Sequence, residues 1–166
     1  MTIQHPHLTV IAGDATSASD VSKVVQGTDV VISAVGQPPR AKTHIMELVA
    51  KNILESNPAK FILISSLGIG GSATSIRCIL SLVAGSGNIN DAEAADRLGC
   101  SSTECPWIVV RPAGLSDAPG TGKYLATEAT GASLRPLARA DVAQFLLDAL
   151  TEKKWERKAI QLYAAK

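Results

Sequence analysis

Hydrophobic positions along the chain alternate between two spacings. Leu8-Thr-Val-Ile-Ala12 is β-branched and apolar up to Gly13-Asp14, and predicts a strand closed by a turn. Ser17 with Asp20 three residues on has the spacing of a helix cap, ahead of Val21, Val24 and Val25 on one helical face. Gly27 stops that helix. Residues 29–35 then form a nearly continuous apolar run, the pattern of a strand covered on both faces, which ends at Gly36 and Pro38-Pro39. From about Thr43, residues Ile45, Leu48, Val49 and Ile53 share a helical stripe until Asn57-Pro58 breaks it ahead of a third strand over 60–66. Ile76, Ile79, Leu80 and Val83 fall on another helical face, closed by a flexible Gly85-Ser-Gly87 loop, and a short helix follows from about Asn90 to Leu98. Residues 106–110 read as a buried strand leaving through Arg111-Pro-Ala-Gly114. The Gly-, Thr-, Ser- and Pro-rich stretch over 116–136 is too long for an ordinary connection, and reads as a functional loop. A helix carrying Val142, Phe145, Leu146, Ala149 and Leu150 and a last strand over 159–163 finish the chain. This βαβα order predicts an α/β fold with a parallel sheet between helices.

With 166 residues the chain suits one domain, and an apolar fraction of 46% with only 4% aromatic residues makes its core aliphatic. A net charge of +1 provides no long-range field for nucleic acid or an anionic membrane, so neither is expected as a partner. No apolar run approaches the roughly 18 residues of a membrane span, and the start lacks the charged-then-apolar pattern of an export signal. Cys78, Cys100 and Cys105 are odd in number and lack metal-site spacing, which suits reduced, buried thiols in a cytoplasmic protein. His5 and His7 could share a side of an extended start, but they lack a third ligand, so no metal is expected.

In parallel sheets ligands bind outside the carboxyl ends of the strands. Those ends are Gly13-Asp14-Ala15, Ser33-Ala34-Val35-Gly36, Ser65-Ser66-Leu67-Gly68 and Arg111-Pro112-Ala113-Gly114. Small residues let backbone approach a flat ligand there, although tight strand-to-helix turns need glycine in any case.

Taken in order, these segments resemble the atypical short-chain dehydrogenase/reductases with an NAD(P)H-binding domain, the group that includes the flavin-reducing biliverdin reductase isoform. The likeness runs over residues 8–150 and is carried also by Trp107-Ile-Val-Val-Arg-Pro112 and Arg139-Ala-Asp-Val-Ala143. It implies a single Rossmann-type domain, a parallel sheet with flanking helices, N-terminally shortened: the family's first β-α-β unit, with its pyrophosphate loop, has no counterpart here. The cofactor implied is NADP or NAD, bound weakly. By the resemblance Asp14 and Ala15 border the adenine, and Ala34, Val35 and Gly36 the ribose, with Gly13 and Ser65 also among the cofactor-binding residues. Ser66 stands at the reacting end as the catalytic hydrogen-bond donor. Pro112, Ala113, Gly114 and Leu115 run beside the nicotinamide. The substrate would be a small carbonyl, enone or flavin-like molecule.

The wider superfamily uses a Tyr-x-x-x-Lys pair to lower a phenol's pKa, and that pair is absent: Tyr124 is followed by Glu128. Gly68-Ile-Gly-Gly-Ser-Ala73 fits G-x-G-x-x-A, but no second strand or acidic residue follows at the required distance, so it reads as a loop after a catalytic strand. Ile64-Ser-Ser66 lacks the G-x-S-x-G turn of a hydrolase nucleophile. Arg111 reads as a structural cation at a strand end, and Asp141 as a complement to its helix N-terminus. The missing loop and missing Tyr/Lys pair leave a second class open, a non-catalytic remnant serving as a nucleotide-sensing or protein-interaction module. Without the first unit, an apolar sheet face would be uncovered, and would serve a homo-oligomer.

Overall fold

In a computed structural model, the chain is described over residues 5–41, 43–71, 74–128 and 135–165. The sheet is built by crossover. Strand β1 (Val31–Ser33) follows helix α1 (Ala18–Val25), helix α2 (Ile45–Glu55) leads to β2 (Phe61–Ile64), and α3 (Thr74–Ala84) and α4 (Ser86–Ser101) lead to β3 (Trp107–Pro112). Two short strands, β4 (Leu115–Ser116) and β6 (Leu137–Ala138), pair with each other on either side of β5 (Tyr124–Thr127) in sequence. Helix α5 (Arg139–Thr151), a 3-10 turn and β7 (Lys158–Ala164) complete the chain. The main sheet has the order β1-β2-β3-β7-β5. As the sequence pattern predicts, β1, β2 and β3 are parallel neighbours, with Val31, Phe61 and Trp107 in register. Strand β7 continues the parallel set and β5 closes it antiparallel.

Alternation sends β2 and β3 side chains into two cores. On one face Phe61, Leu63, Trp107 and Val109 meet Val21, Val49, Ile53 and Ala95 from α1, α2 and α4. On the other, Ile62, Ile108, Val110, Ile160 and Leu162 meet Val142, Phe145, Leu146 and Ala149 of α5. Each fully buried side chain of this size stabilises the fold by about 1.5–3 kcal/mol, which is why continuous apolar runs end up at the sheet centre. Polar residues lock the helix ends onto this frame. Ser17 caps α1 through the Asp20 amide, at 3.4 Å. The fully buried Asp91 carboxylate of α4 accepts from the amides of Met46 (3.0 Å) and Glu47 (2.9 Å) at the start of α2. Lys60 Nζ donates to the Ala149 carbonyl at the end of α5, 3.1 Å away.

Five expectations change. Residues 8–12 form no strand: they are exposed, with Val10 at 80%, because no neighbouring strand among the described residues offers them a ladder. Helix α4 begins at Ser86 and runs to Ser101, absorbing two residues of the supposed flexible loop; its Asn88 amide donates to the Pro38 carbonyl at 2.7 Å and Asp91 caps α2, so tertiary bonds override weak local propensity. The 116–136 stretch holds the end of β4 and all of β5, paired with β6 and β7 respectively, while residues 129–134 lie outside the described set. The sheet is not bare over a whole face, since β3 is buried throughout; exposed apolar side chains lie at the outer side of β1, where Ile32 is 41% exposed, and on α3, where Ile79, Leu82 and Val83 are exposed. Finally, only Cys105 is buried: Cys100 is half-buried and Cys78 exposed. No helix among the described residues is long and apolar enough to cross a membrane.

Candidate functional site

Parallel pairing brings the exits of β1, β2 and β3 to one end of the sheet, and two groups of residues collect there. The first lines a cleft of about 320 Å³ between residues 11–15, α1 and the outer side of β1. Gly13, Asp14 and Ala15 form one rim, Ala34 and Val35 another, and Val21, Val24, Ile32 and Ile53 supply apolar walls. The turn at its mouth is held by side chains. Thr16 donates to Asp14 Oδ1 through its amide (2.8 Å) and hydroxyl (2.7 Å), while the Asp14 amide donates to Asp20 Oδ2 at 3.2 Å. Asn52, buried on α2, donates to the carbonyls of Ala15 (3.3 Å) and Thr16 (3.1 Å). The Thr16 bonds hold the Asp14 carboxyl below its ordinary pKa, and the Asp14 amide, then Lys23, do the same for Asp20. Both carboxylates are therefore anionic at neutral pH. With only Lys23 opposing them among the lining residues, the cleft suits an apolar ring with hydrogen-bond donors and disfavours a phosphate.

The second group surrounds the exits of β2 and β3. Pairing continues past the end of β2, with the Ser65 amide on the Val110 carbonyl at 2.7 Å and the Leu67 amide on the Pro112 carbonyl at 2.9 Å. Ser66, half-buried between these anchors, turns its hydroxyl to the Leu67 carbonyl at 3.2 Å. Ser65 Oγ is buried without a hydrogen-bond partner. Pro112 is buried, Ala113 is half-buried and bonded through its amide to the Leu162 carbonyl (2.9 Å), and Gly114 and Leu115 are exposed. Gly36, Ser65, Ser66, Pro112, Ala113, Gly114 and Leu115 do not line the first cleft. The structure thus gathers Gly13, Asp14, Ala15, Ala34 and Val35 in one cleft and leaves Gly36, Ser65, Ser66 and residues 112–115 outside it.

Beyond Leu67 the chain turns through Gly68, Gly70 and Gly71, all in the left-handed region, while Ser72 and Ala73 of the G-x-G-x-x-A string lie outside the described residues. Arg111 reaches this turn and pairs with Asp96 of α4 in a fork, Nε to Oδ2 at 2.9 Å and Nη2 to Oδ1 at 2.7 Å. Burial opposes the guanidinium's charge, but the Asp96 bonds outweigh it and leave the Arg111 pKa raised. The same burial, with the Asp96 charge beside it, pushes the Cys100 thiol up to about 12. Asp141 sits at the start of α5 and also accepts from the Thr121 and Gly122 amides, each at 2.8 Å, which ties residues 121–122 to that helix. Tyr124 donates to Asp148; burial and then that bond push its phenol up to about 12, the opposite of an activated proton donor.

Among the described residues, one group with metal-ligand chemistry is His44, Glu47 and Asp91. The Asp91 carboxylate is already committed there to two α2 amides and to Gln37 Nε2 at 2.8 Å. Asn52 and Asp96 escaped the sequence reading. Their only signal is a polar residue beside apolar helical positions, such as Asn52 next to Ile53, which equally fits an exposed flank.

A family model described as NAD(P)H-binding matches residues 1–153. Among curated protein sequences none matches the chain significantly. Solved structures with the same fold include an anaerobilin reductase from Escherichia coli, 20% identical with TM-score 0.74, in which the match covers 93% of this chain and 74% of that one. A short-chain dehydrogenase/reductase from Veillonella parvula in complex with NADP is 18% identical over 96% of this chain and 73% of that chain, with TM-score 0.77. The oxidoreductase ylbE from Lactococcus lactis is 17% identical over 99% and 75%, with TM-score 0.73.

Proposed function

We propose that this chain, which belongs to the NAD(P)H-binding family, is an oxidoreductase that passes hydride from NADPH or NADH to a small carbonyl, enone or flavin-like acceptor. The observation that carries the reading is the arrangement of its two residue groups at one end of a parallel sheet, where ligands of open α/β sheets bind. Asp14 and Ala15 would hold the adenine, Ala34, Val35 and Gly36 the ribose, and Pro112 to Leu115 would flank the nicotinamide. Ser66 would donate a hydrogen bond to the acceptor oxygen, a role that Tyr124, with its raised pKa, does not suit. The cofactor supplies the hydride when bound; the protein supplies orientation and hydrogen bonds. Three free cysteines suit a reducing, cytoplasmic setting.

The cleft fits a nucleoside better than a dinucleotide, because a helix N-terminus with glycine-rich backbone is the usual pyrophosphate seat and this cleft presents Asp14 and Asp20 instead. Adenosine should therefore compete nearly as well as intact NADPH in a fluorescence titration. A large advantage for the dinucleotide would place a phosphate seat elsewhere, first at the turn beginning with Gly68. No binding of NADPH or NADH at millimolar concentration refutes the enzyme reading. The same acidic cleft favours a second reading, a nucleoside-sensing module without catalysis, which adenosine binding with no turnover of any acceptor would support.

A further inference from the structure

We propose that Arg111 is a positioning residue: clamped by Asp96, its guanidinium seats Gly70 and so fixes the turn that presents Ser66 to the nicotinamide side. The inference rests on the reading of Ser66 as the donor at the reacting end. Its basis is that one strand, β3, supplies an anchor at each end of that turn. Ser65 is tied to Val110 and Leu67 to Pro112 by backbone bonds, and Ser66 lies between them. The far end of the turn meets Arg111, whose Nη1 lies 3.5 Å from the Gly70 carbonyl. That bond is long, and shape does more than the bond. A Cβ placed on Gly70 would come to 1.9 Å from Arg111 Nη2 and 2.5 Å from its Cζ, so the backbone lies flat against the guanidinium.

The guanidinium cannot retreat. Both of its carboxylate bonds are to Asp96, and the two side chains are 10% and 1% exposed. A planar fork held at two points is a rigid surface, which a lysine would not reproduce. Arg111 immediately precedes Pro112 to Leu115, so the strand from which the proposed nicotinamide-side residues leave also helps set where Ser66 stands relative to them.

Gly71 provides the control. Its φ is +80° against +61° at Gly70, so alanine carries a left-handed backbone penalty at either position, but a Cβ on Gly71 meets nothing within 4 Å. Amide hydrogen exchange of the protein alone and NADPH-dependent reduction of free FMN, a flavin probe, would be measured for wild type, Gly70→Ala and Gly71→Ala. The Leu67 amide should exchange faster in Gly70→Ala only. The same variant should lose about tenfold or more in kcat, as small misplacements of a reacting group do, with the KM for NADPH and adenosine competition within about twofold of wild type. Arg111→Lys, which keeps the charge on Asp96 but loses the fork, should reproduce this split and decides the matter if Gly70→Ala does not fold. Equal exchange and equal kcat in the two glycine variants overturn the proposal and leave the cofactor reading standing. A parallel loss of adenosine binding, kcat and melting temperature also overturns it, in favour of a purely structural pair. A wild-type protein that shows the expected exchange pattern but no NADPH-dependent turnover overturns the cofactor reading, and with it the catalytic part of this proposal.

Discussion

Removing Asp96 should be among the most destabilising single changes in this protein. Asp96→Ala strands the guanidinium of the buried Arg111 without either of its carboxylate bonds. Breaking a buried ion pair from one side costs about 3–5 kcal/mol. For a domain of this length each kcal/mol lowers the melting temperature by roughly 2–4 °C, so a loss of about 8–16 °C is expected from a cost of about 4 kcal/mol. The guanidinium cannot shed its proton to escape, whereas a stranded carboxylate can take one up, so Arg111→Met should be the milder single change. The double variant Asp96→Ala/Arg111→Met buries no lone charge and should lie above the sum of the two single losses by about 2–3 kcal/mol. Urea unfolding of all four proteins gives the cycle. If the losses are additive, or if Asp96→Ala costs under about 1 kcal/mol, the pair does not act as a buried fork.

Other outcomes follow from the site and its surroundings. Ser66→Ala should reduce turnover of a flavin or carbonyl probe by about 10²-fold, in the range of a lost transition-state donor, while leaving NADPH binding intact; an unchanged rate would remove Ser66 from the chemistry. Iodoacetamide at pH 8 should label exposed Cys78 in the native protein much faster than half-buried Cys100, whose thiol is pushed up to about 12; native labelling of Cys100 as fast as of Cys78 would refute the raised thiol. Because the Tyr124 phenol is raised to about 12 in the fold, the stability it confers is complete below its ordinary value near 10 and is lost between the two. Tyr124→Phe should lack that alkaline loss in pH-dependent melting, and an identical profile would refute the Asp148 bond. The apolar surface at β1, with Ile32, Val24 and Ile11 exposed and a net charge of only +1, should give concentration-dependent sedimentation; a monodisperse monomer at high concentration would refute self-association.

The central strands were legible because burial on both faces leaves an unmistakable record: residues 61–64 and 107–110 admit almost nothing but apolar side chains, and their parallel pairing follows from the helical segments between them. Glycines and small residues at strand exits likewise marked the sheet end where ligands bind. Residues 8–12 show where such a reading stops. Their β-branched composition predicts a strand, but a strand exists only beside a partner, and local pattern carries no information about whether one is there. β5 was hidden for the converse reason: within a Gly- and Thr-rich stretch, it is made a strand by β7. Tertiary structure alone also decided which polar side chains became buried partners. Asn52, Asp91 and Asp96 sit on helices as ordinary solvent-facing residues would, and only packing turns them toward the 15–16 turn, the start of α2 and Arg111. Sequence periodicity specifies which face is apolar; the unique partner of a buried polar atom is set by distances between elements remote in the chain, which no local pattern encodes.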